Sequence, residues 1–277
     1  MLIESQLPIS QLCYLEQTAD SPFCLVMLHG WMDNAASFIP LLQSLPDYHC
    51  IALDFPGHGH SPHRQGHYHF VDYVDDLFSA LSELNLNKPI ILVGHSLGAL
   101  VASTYAAAFG EGLLALIAID GLGPLSLPIS NTTTHLADAI RQRHRSMSVR
   151  GFTDLNQAIR LRARSNGLSR ENSRLLVTRA TKQSQGLWYW RHDPKLKLSS
   201  PLRFSESQAK QICQSIQRPC LLIAAQEHPL LSAEFIRQRQ TWFSQLSIVE
   251  LVGGHHLHMQ NSAACAALMT NYIQTIV

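Results

Sequence analysis

Short runs of apolar residues, each bounded by turn-forming residues, recur between residues 22 and 120 and again between residues 219 and 253. Runs of this kind are typical of strands that are buried on both faces of a parallel sheet. The six predicted strands are residues 22–30, 48–55, 88–96, 113–120, 219–225 and 246–253. Amphipathic patterns at residues 71–84, 97–109 and 233–242 predict helices between them. The alternation of strand and helix predicts an α/β fold with a mostly parallel, doubly wound sheet.

Two features interrupt this regular pattern. Shorter stretches at residues 7–9 and 12–15 predict an antiparallel edge ahead of the first parallel strand. Between residues 120 and 218 the chain is rich in Arg, Ser and Gln, has helical periodicity and contains no buried strand run. We therefore expect a mostly helical insert within the sheet domain.

The charge of the chain is unevenly placed. Residues 124–218 contain seventeen Lys or Arg against five Asp or Glu, a balance of +12, while the whole chain carries only +1. This asymmetry marks the insert as a separate unit. It indicates a solvated basic surface or, alternatively, the steering of anionic substrates or contact with an anionic surface. The arginines lie in predicted helices without a nucleic-acid-binding motif, so we expect no nucleic-acid partner.

The composition is that of a globular protein with a large core. Hydrophobic residues make up 46% of the chain and charged residues 15%. The longest strictly apolar run, residues 113–119, is too short to cross a bilayer, and the N-terminus lacks the pattern of a signal peptide. Six cysteines without a CxxC pair fit buried thiols in a reducing compartment. We therefore expect a cytoplasmic protein with no transmembrane segment.

The segment Gly94-His95-Ser96-Leu97-Gly98 matches the pattern G-x-S-x-G and lies between a predicted strand and a predicted helix. A sharp turn at this place strains the serine backbone, and the two glycines avoid clashes within the turn. The hydroxyl is then exposed at a helix N-terminus, where the N–H groups and the dipole favour a developing oxyanion. Ser96 is therefore the predicted nucleophile; the alternative is a tight turn whose serine has no chemical role.

The segment His29-Gly30-Trp31 follows the first predicted parallel strand. A turn of this type at this place commonly supplies an oxyanion donor through the backbone N–H of its third residue. The backbone N–H groups of Trp31 and Leu97 are therefore the predicted oxyanion hole. The alternative is that this segment only turns the chain.

The motifs of this chain resemble, in order, the landmarks of the α/β-hydrolase fold superfamily. They are HGWMDNAASF (29–38), DFPGHGHS (54–61), VGHSLG (93–98) and GGHHLH (253–258). More narrowly, the chain resembles the serine hydrolase-like protein family in its HGWMDNAASF segment, in the strand that ends at Asp120 and in TKQSQGLWYWRHDPKL (181–196). With the composition of the insert, the resemblance implies a core of residues 1–123 and 219–277 and a helical cap, residues 124–218. The cap is inserted after strand 6, which is the strand at residues 113–120 when the two edge stretches are counted first.

The resemblance also implies where the general base lies. A serine hydroxyl needs a neighbouring base to become a nucleophile. The superfamily places a histidine in the loop after the last strand, where GGHHLH offers three. The G-x-H pattern favours His255. His256 is the alternative because adjacent side chains point in different directions, and His258 is expected to face packing.

The base in turn needs a carboxylate to fix its tautomer. The usual position follows residues 219–225 and aligns here with His228, with Glu227 one residue earlier. Haloalkane dehalogenases and the serine hydrolase-like proteins instead carry an aspartate at the end of the preceding strand, which is Asp120 in this chain. We expect Asp120 to be the acid, with Glu227 as the alternative; a structural reading is that Asp120 only caps a turn.

Other polar residues carry weaker signals. Histidines lie at positions 58, 60, 63, 67 and 69. No cysteine or paired acid joins them and the loop resembles an ordinary one of the superfamily, so we expect no metal. Asp54 resembles a structural turn residue. Arg191 and Asp193 are expected to form a hinge or ion pair where the insert rejoins the core, and residues 188–190 either line a pocket or pack the insert.

The expected function is that of a serine hydrolase that cleaves a small carboxylic ester through an acyl-enzyme, without a cofactor. Three alternatives are a hydrolase of carbon–carbon bonds, a lipase or thioesterase for acyl chains, and a non-catalytic ligand-binding protein. Because the nucleophile is a serine and not an aspartate, haloalkane and epoxide chemistry are disfavoured. The substrate itself and the oligomeric state stay open, because a helical cap has no readable code.

Overall fold

The computed structural model describes residues 1–145, 147, 149–227 and 231–277. Its strands are β1 (Leu2–Gln6), β2 (Cys13–Gln17), β3 (Cys24–Leu28), β4 (His49–Leu53), β5 (Ile90–His95), β6 (Leu113–Ile119), β7 (Thr181–Ser184), β8 (Leu187–Trp190), β9 (Cys220–Ala225) and β10 (Leu246–Leu251). Eight of them form one sheet in the order β1-β2-β4-β3-β5-β6-β9-β10. Within this sheet, β2 is antiparallel to both of its neighbours, β1 and β4, and all the remaining pairings are parallel. The predicted mostly parallel α/β sheet is therefore confirmed.

Helices cover both faces of the sheet and also form most of the insert. They are α1 (Ile39–Gln43), α2 (Phe70–Leu84), α3 (Leu97–Phe109), α4 (Thr132–Arg143), α5 (Leu155–Asn166), α6 (Arg170–Arg179), α7 (Glu206–Gln214), α8 (Ala233–Gln240), α9 (Leu257–Gln260) and α10 (Ser262–Gln274). One apolar cluster joins the sheet to α2, α3 and α7, and a second joins its other face to α1 and α10. All five residues of β3 are fully buried, and alternate side chains enter the two clusters. A strand between two such layers reads as a continuous apolar run because both its faces are buried.

The edge of the sheet begins earlier than the sequence predicts. The expected strand at residues 7–9 is wrong, since β1 is Leu2–Gln6 and the following residues turn toward β2. Leu7 and Leu12 are both buried, and the Leu7 N–H donates to the carbonyl of Leu12 at 2.9 Å. The apolar residues therefore close the hairpin turn over the core, while the more polar and exposed Leu2–Gln6 pairs along the open edge.

Between β6 and β9 the chain leaves the sheet and forms helices α4 to α7. A two-stranded hairpin of β7 and β8 lies among them, which the helical periodicity did not predict. Its turn residues Gln185 and Gly186 both have positive φ, as a tight two-residue hairpin turn requires. The last helix, α7, buries Ala209 and Cys213 in the cluster that α3 also joins. This part of the insert packs directly on a helix that flanks the sheet.

All six cysteines are buried free thiols. Burial raises the pKa of Cys24 and that of Cys220 to about 12, so both stay protonated near neutral pH. Within the described part of the chain, no helix has the length and apolar character needed to cross a membrane.

The register of the sheet brings three strand ends together. His95 at the end of β5 pairs with Ile119 at the end of β6, and Ile119 pairs with Ile223 in β9. The residues that follow the first two, Ser96 and Asp120, leave the sheet side by side. Because ligands bind outside the carboxyl ends of strands in sheets of this kind, we expect a functional site at this edge.

Candidate active site

Ser96 occupies a strained turn between β5 and α3. Its φ of 50° is positive and its ψ is −117°, a conformation that non-glycine residues rarely adopt. A side chain at Gly94 would overlap the backbone of Ala99, and one at Gly98 would overlap the carbonyl of Leu28. Both glycines of the motif are therefore required by close backbone approach. The strain holds Ser96 at the first turn of a helix, the arrangement that its motif predicts.

The buried side chain of His29 fixes the loop after β3 through two hydrogen bonds to the backbone. His29 is fully buried, its Nε2 accepts the N–H of Phe55 at 3.0 Å, and its Nδ1 donates to the carbonyl of Gly30 at 2.8 Å. Burial lowers the pKa of His29, so the neutral ring can make both bonds. Trp31 follows, half exposed, and its indole N–H donates to the carbonyl of Leu196 at 3.0 Å. The predicted oxyanion loop therefore also contacts the insert.

Asp120 and His255 are joined in the structure. Nδ1 of His255 lies 2.5 Å from Oδ2 of Asp120, and the carboxylate is fully buried. The other oxygen of Asp120 accepts the N–H of Ala225 at 3.3 Å, and its own N–H donates to the carbonyl of Ile223 at 2.9 Å. Asp120 has a φ of 44°, so the end of β6 turns sharply here. With Nδ1 held by the acid, Nε2 of His255 is the nitrogen left for proton transfer.

Glu227, the alternative acid, lies apart from this pair. Its side chain is exposed, and its backbone N–H donates to the carbonyl of Gly253 at 3.0 Å. The residue therefore joins the end of β9 to the loop after β10 through its main chain. His228, at the position that aligns with the usual aspartate, lies outside the described residues.

His256, the alternative base, bonds to a different carboxylate. Its Nε2 lies 3.1 Å from Oδ2 of Asp33, and only 3% of the residue is exposed. Arg162, from helix α5 of the insert, bonds to the other oxygen of Asp33. Two adjacent histidines thus face two different acids. The sequence patterns did not single out Asp33 or Arg162.

His258 packs inside the protein, as expected. It is fully buried, and its ring lies 4.2 Å from that of His95 and 5.3 Å from that of Phe38, measured between centroids. Burial lowers the pKa of His258 to about 3, so the ring is neutral. Among the described residues, no group of three or more His, Cys, Asp or Glu side chains is arranged to hold a metal ion.

Asp193 bonds to the core, whereas the Arg191 side chain bonds within the insert, and the two residues do not pair with each other. The Asp193 N–H donates to the carbonyl of Gly57 at 2.9 Å, and its carboxylate accepts the hydroxyl of Tyr68 at 2.9 Å. Arg191 Nε donates to the carbonyl of Thr181 at 3.0 Å. At the predicted junction, Asp193 therefore bonds to the core and the Arg191 side chain bonds within the insert.

Trp190, the last residue of β8, packs against other residues of the insert. The ring of Trp190 lies 5.6 Å from that of Phe152 and 5.4 Å from that of His192. Trp190 also packs against the small apolar cluster of the insert, which contains Ala158, Ile159 and Val177. Of the two roles left open for residues 188–190, packing of the insert describes Trp190.

Comparison with known proteins identifies the family. The sequence pattern of the alpha/beta hydrolase family matches residues 25–268, almost the whole chain. The chain belongs to the alpha/beta hydrolase family. Within it, serine hydrolase-like protein 2 of Homo sapiens is 30% identical, over 90% of this chain and 86% of its own length. The resemblance to the serine hydrolase-like proteins is therefore confirmed. The chain is a hydrolase of the alpha/beta hydrolase family that is similar to these proteins.

Solved structures of other alpha/beta hydrolases have the same fold. A hypothetical protein of Pseudomonas aeruginosa PAO1 is 31% identical, superposes with a TM-score of 0.87, and the match covers 98% of this chain and 97% of that one. A thioesterase domain from the curacin biosynthetic pathway is 25% identical, with a TM-score of 0.88 and coverage of 98% and 99%. The match extends over the insert as well as the sheet, since nearly the whole of each chain is covered.

Proposed function

We propose that this hydrolase cleaves a small carboxylic ester with Ser96 as nucleophile, His255 as general base and Asp120 as the acid that orients the base. The observation that carries the proposal is the 2.5 Å contact between His255 Nδ1 and Asp120 Oδ2 beside the G-x-S-x-G turn. The backbone N–H groups of Trp31 and Leu97 are the proposed oxyanion donors. The first N–H groups of a helix have no partner within it, so that of Leu97 is suited to this task.

The reaction runs in two halves. In the first, Ser96 Oγ attacks the ester carbonyl carbon, its proton passes to His255 Nε2, and negative charge develops on the carbonyl oxygen. The tetrahedral intermediate then breaks its bond to the alcohol oxygen, which takes the proton from His255 and leaves. In the second half, a water molecule gives a proton to the same nitrogen and attacks the acyl-enzyme. The acid is released and Ser96 regains its proton, so the cycle needs no cofactor.

A fluorophosphonate probe tests the nucleophile directly. The probe should label the wild-type protein with one equivalent, and Ser96→Ala should abolish labelling while the protein stays folded. Ser82→Ala is a suitable control, because this exposed hydroxyl bonds only within its own helix, to the carbonyl of Phe78. Undiminished labelling of Ser96→Ala would rule out Ser96 as the nucleophile, and a wild type that never labels would favour a ligand-binding role.

A thioester is the second candidate substrate. The observation in its favour is the likeness to the curacin-pathway thioesterase domain, which extends over nearly the whole of both chains. The same triad can attack either carbonyl, and carbon–carbon bond hydrolysis of diketone-like compounds is a further variant of this chemistry. Specificity constants on matched oxyesters, acyl thioesters of increasing chain length and a diketone distinguish the three. A preference for the small oxyester is the expected result.

We further propose that residues 124–218 act as a cap that selects the substrate, over a core of residues 1–123 and 219–277. The cap balance of +12 favours anionic substrates by long-range attraction. Salt screens such attraction, since the Debye length falls from about 10 Å at 0.1 M to about 3 Å at 1 M. Turnover of an anionic ester should thus fall with salt more steeply than that of a neutral analogue.

The buried free thiols support a reducing, cytoplasmic location.

A further inference from the structure

The buried carboxylate of Asp33 lies two residues after Trp31 and bonds to side chains from two other parts of the fold. His256 Nε2 lies 3.1 Å from Oδ2, and the guanidinium of Arg162 bonds to Oδ1. Nδ1 of His95 lies 3.7 Å from Oδ2. The carboxylate therefore joins the proposed oxyanion loop to the loop after β10 and to helix α5 of the insert, and it packs beside His95 in the turn before α3 without a hydrogen bond to it.

The two histidines at Asp33 are each adjacent in sequence to a reacting residue of the proposed triad. His95 precedes Ser96, and its Nε2 donates to the carbonyl of His255 at 2.8 Å. His256 directly follows His255. Displacement of the Asp33 carboxylate would thus displace His256, the chain neighbour of the base, and would reach the neighbour of the nucleophile through the bond between His95 and the carbonyl of His255.

Asp33 carries a negative charge in this position. Burial alone would raise the pKa of the Asp33 carboxyl, but His256 and Arg162 outweigh it and hold that pKa far below its usual range. Burial keeps the pKa of His95 well below its ordinary value, so this ring is neutral. Since a buried charge is costly without a partner, Asp33 depends on the cation that the insert supplies.

We propose that Asp33 is a positioning residue of the active site, and that Arg162 balances its charge from the insert. The inference rests on the proposed function, because it takes Ser96 and His255 as the reacting pair. It gives the insert a part in catalysis beyond substrate choice: α5 must lie in place for the loop that carries His255 to be held, and this loop is bonded in turn to His95, the residue before Ser96. A misplacement of about 1 Å can cost on the order of 10²-fold in rate.

A purely structural pair of the same type serves as a reference. Asp54 is also a buried carboxylate of the core that bonds to an arginine of the insert, Arg179, at 2.8 Å. Its oxygens further accept the backbone N–H groups of Ala35 and His60, in loops that do not carry the proposed triad. Asp33 differs because its further bonded partner is the side chain of His256, the residue next to His255, and because its carboxylate lies beside His95, the residue next to Ser96.

The charge of Asp33 provides a readout that stability alone does not move. The titratable groups around the His255 ring are Asp120, His95, His256 and His258. Asp33→Asn removes the anion that bonds to His256, whose ring lies 5.3 Å from that of His255, so the local potential becomes more positive and the acidic limb of kcat/KM moves to lower pH. Arg162→Gln leaves the anion unbalanced, and it moves the same limb to higher pH.

The experiment measures ester hydrolysis and fluorophosphonate labelling across pH for Asp33→Asn, Arg162→Gln and Arg162→Lys. The control is Arg160→Gln, because Arg160 lies on the same helix but pairs in solvent with Asp154 at 3.1 Å. We expect Asp33→Asn to lose up to about 10²-fold in kcat with little change in KM. The acidic limbs of Asp33→Asn and Arg162→Gln should shift in opposite directions, Arg162→Lys should restore the wild-type limb, and Arg160→Gln should match wild type.

The inference is overturned if the two charge-removing variants shift the acidic limb in the same direction, or if neither shifts it. Should Asp33→Asn fail to fold, the arginine variants decide alone: coincident pH profiles for Arg162→Gln, Arg162→Lys and Arg160→Gln would overturn it. If wild type labels at Ser96 and these profiles coincide, only this inference fails. If wild type does not label, the proposed function fails and this inference fails with it.

Discussion

His255 and His256 follow one another in the chain, and each bonds to a buried carboxylate, yet the two rings have different surroundings. The His255 side chain is 30% exposed and contacts Asp120 through Nδ1. The His256 side chain is 3% exposed and contacts Asp33 through Nε2. Their ring planes lie 79° apart, because successive residues in this loop point in different directions. One pair faces the edge of the sheet where Ser96 lies, and the other faces the interior beneath the insert.

The difference shows what a histidine needs beyond an acid partner. When Nδ1 is held by the acid, the outer nitrogen is free and can reach a substrate. When Nε2 is held, as in His256, the remaining Nδ1 lies within the protein and has no hydrogen-bond partner among the described residues. The identity of the bonded nitrogen and the solvent access of the other one therefore separate a candidate base from a structural histidine.

The largest expected effect is on the pair that contains the proposed base. Asp120→Asn should lower kcat on the test ester by about 10⁴, because the amide holds the imidazole in the wrong tautomer while geometry is kept. Steady-state kinetics on protein shown to be folded by circular dichroism would measure this. Glu227→Gln is the control and should stay within about twofold of wild type, as for an exposed side chain outside the site. A dead Glu227→Gln beside an active Asp120→Asn would reverse the assignment of the acid.

The next effect concerns stability and sharpens the comparison with Asp54, a carboxylate that is hydrogen-bonded to no histidine side chain among the described residues. Arg179→Met leaves Asp54 buried with only its two backbone N–H partners. Loss of one member of a buried pair typically costs about 3–5 kcal/mol, and we expect the lower end of that range here. Urea unfolding measures the loss, and the kcat of the folded variant should stay near wild type. A large fall in kcat at unchanged stability would show that this pair, too, acts on the site.

The smallest effect is expected at the buried histidine. His256→Gln keeps an N–H that can donate to Asp33, so kcat should fall by about tenfold, which corresponds to roughly 1.4 kcal/mol. His255→Gln, which removes the proposed base, should lose far more and serves as the matched comparison. Parallel kinetics on one ester measure both variants. Equal losses, or a greater loss for His256→Gln, would exchange the roles of the two histidines.

The sequence predicts the sheet well because its signals are local. Runs buried on both faces and a glycine-bounded serine between strand and helix depend on neighbouring residues alone. Asp120 could be chosen as a candidate because it ends such a run. The contact of His256 with Asp33 could not, since these residues lie 223 positions apart and meet only when the tertiary fold forms.

The hairpin of the insert and the true edge of the sheet were also beyond local pattern. The strands β7 and β8 are short and part-exposed, so they have no buried run, although Gln185-Gly186 is a turn signal of the right length. The shift of β1 arises because Leu7 closes a turn over the core and is not part of a strand. At this edge of the sheet, tertiary burial overrides the local preference.

The six buried thiols make the chain a reporter of its own local opening. A protonated, enclosed thiol does not react with an alkylating reagent, and burial raises the pKa of Cys213 to about 11 and that of Cys24 to about 12. Modification can thus proceed only through states in which the surrounding structure has transiently separated. Cys213 lies in α7 and Cys24 in the central strand β3. Mass spectrometry that follows the alkylation of each thiol therefore shows whether the insert unfolds before the sheet does.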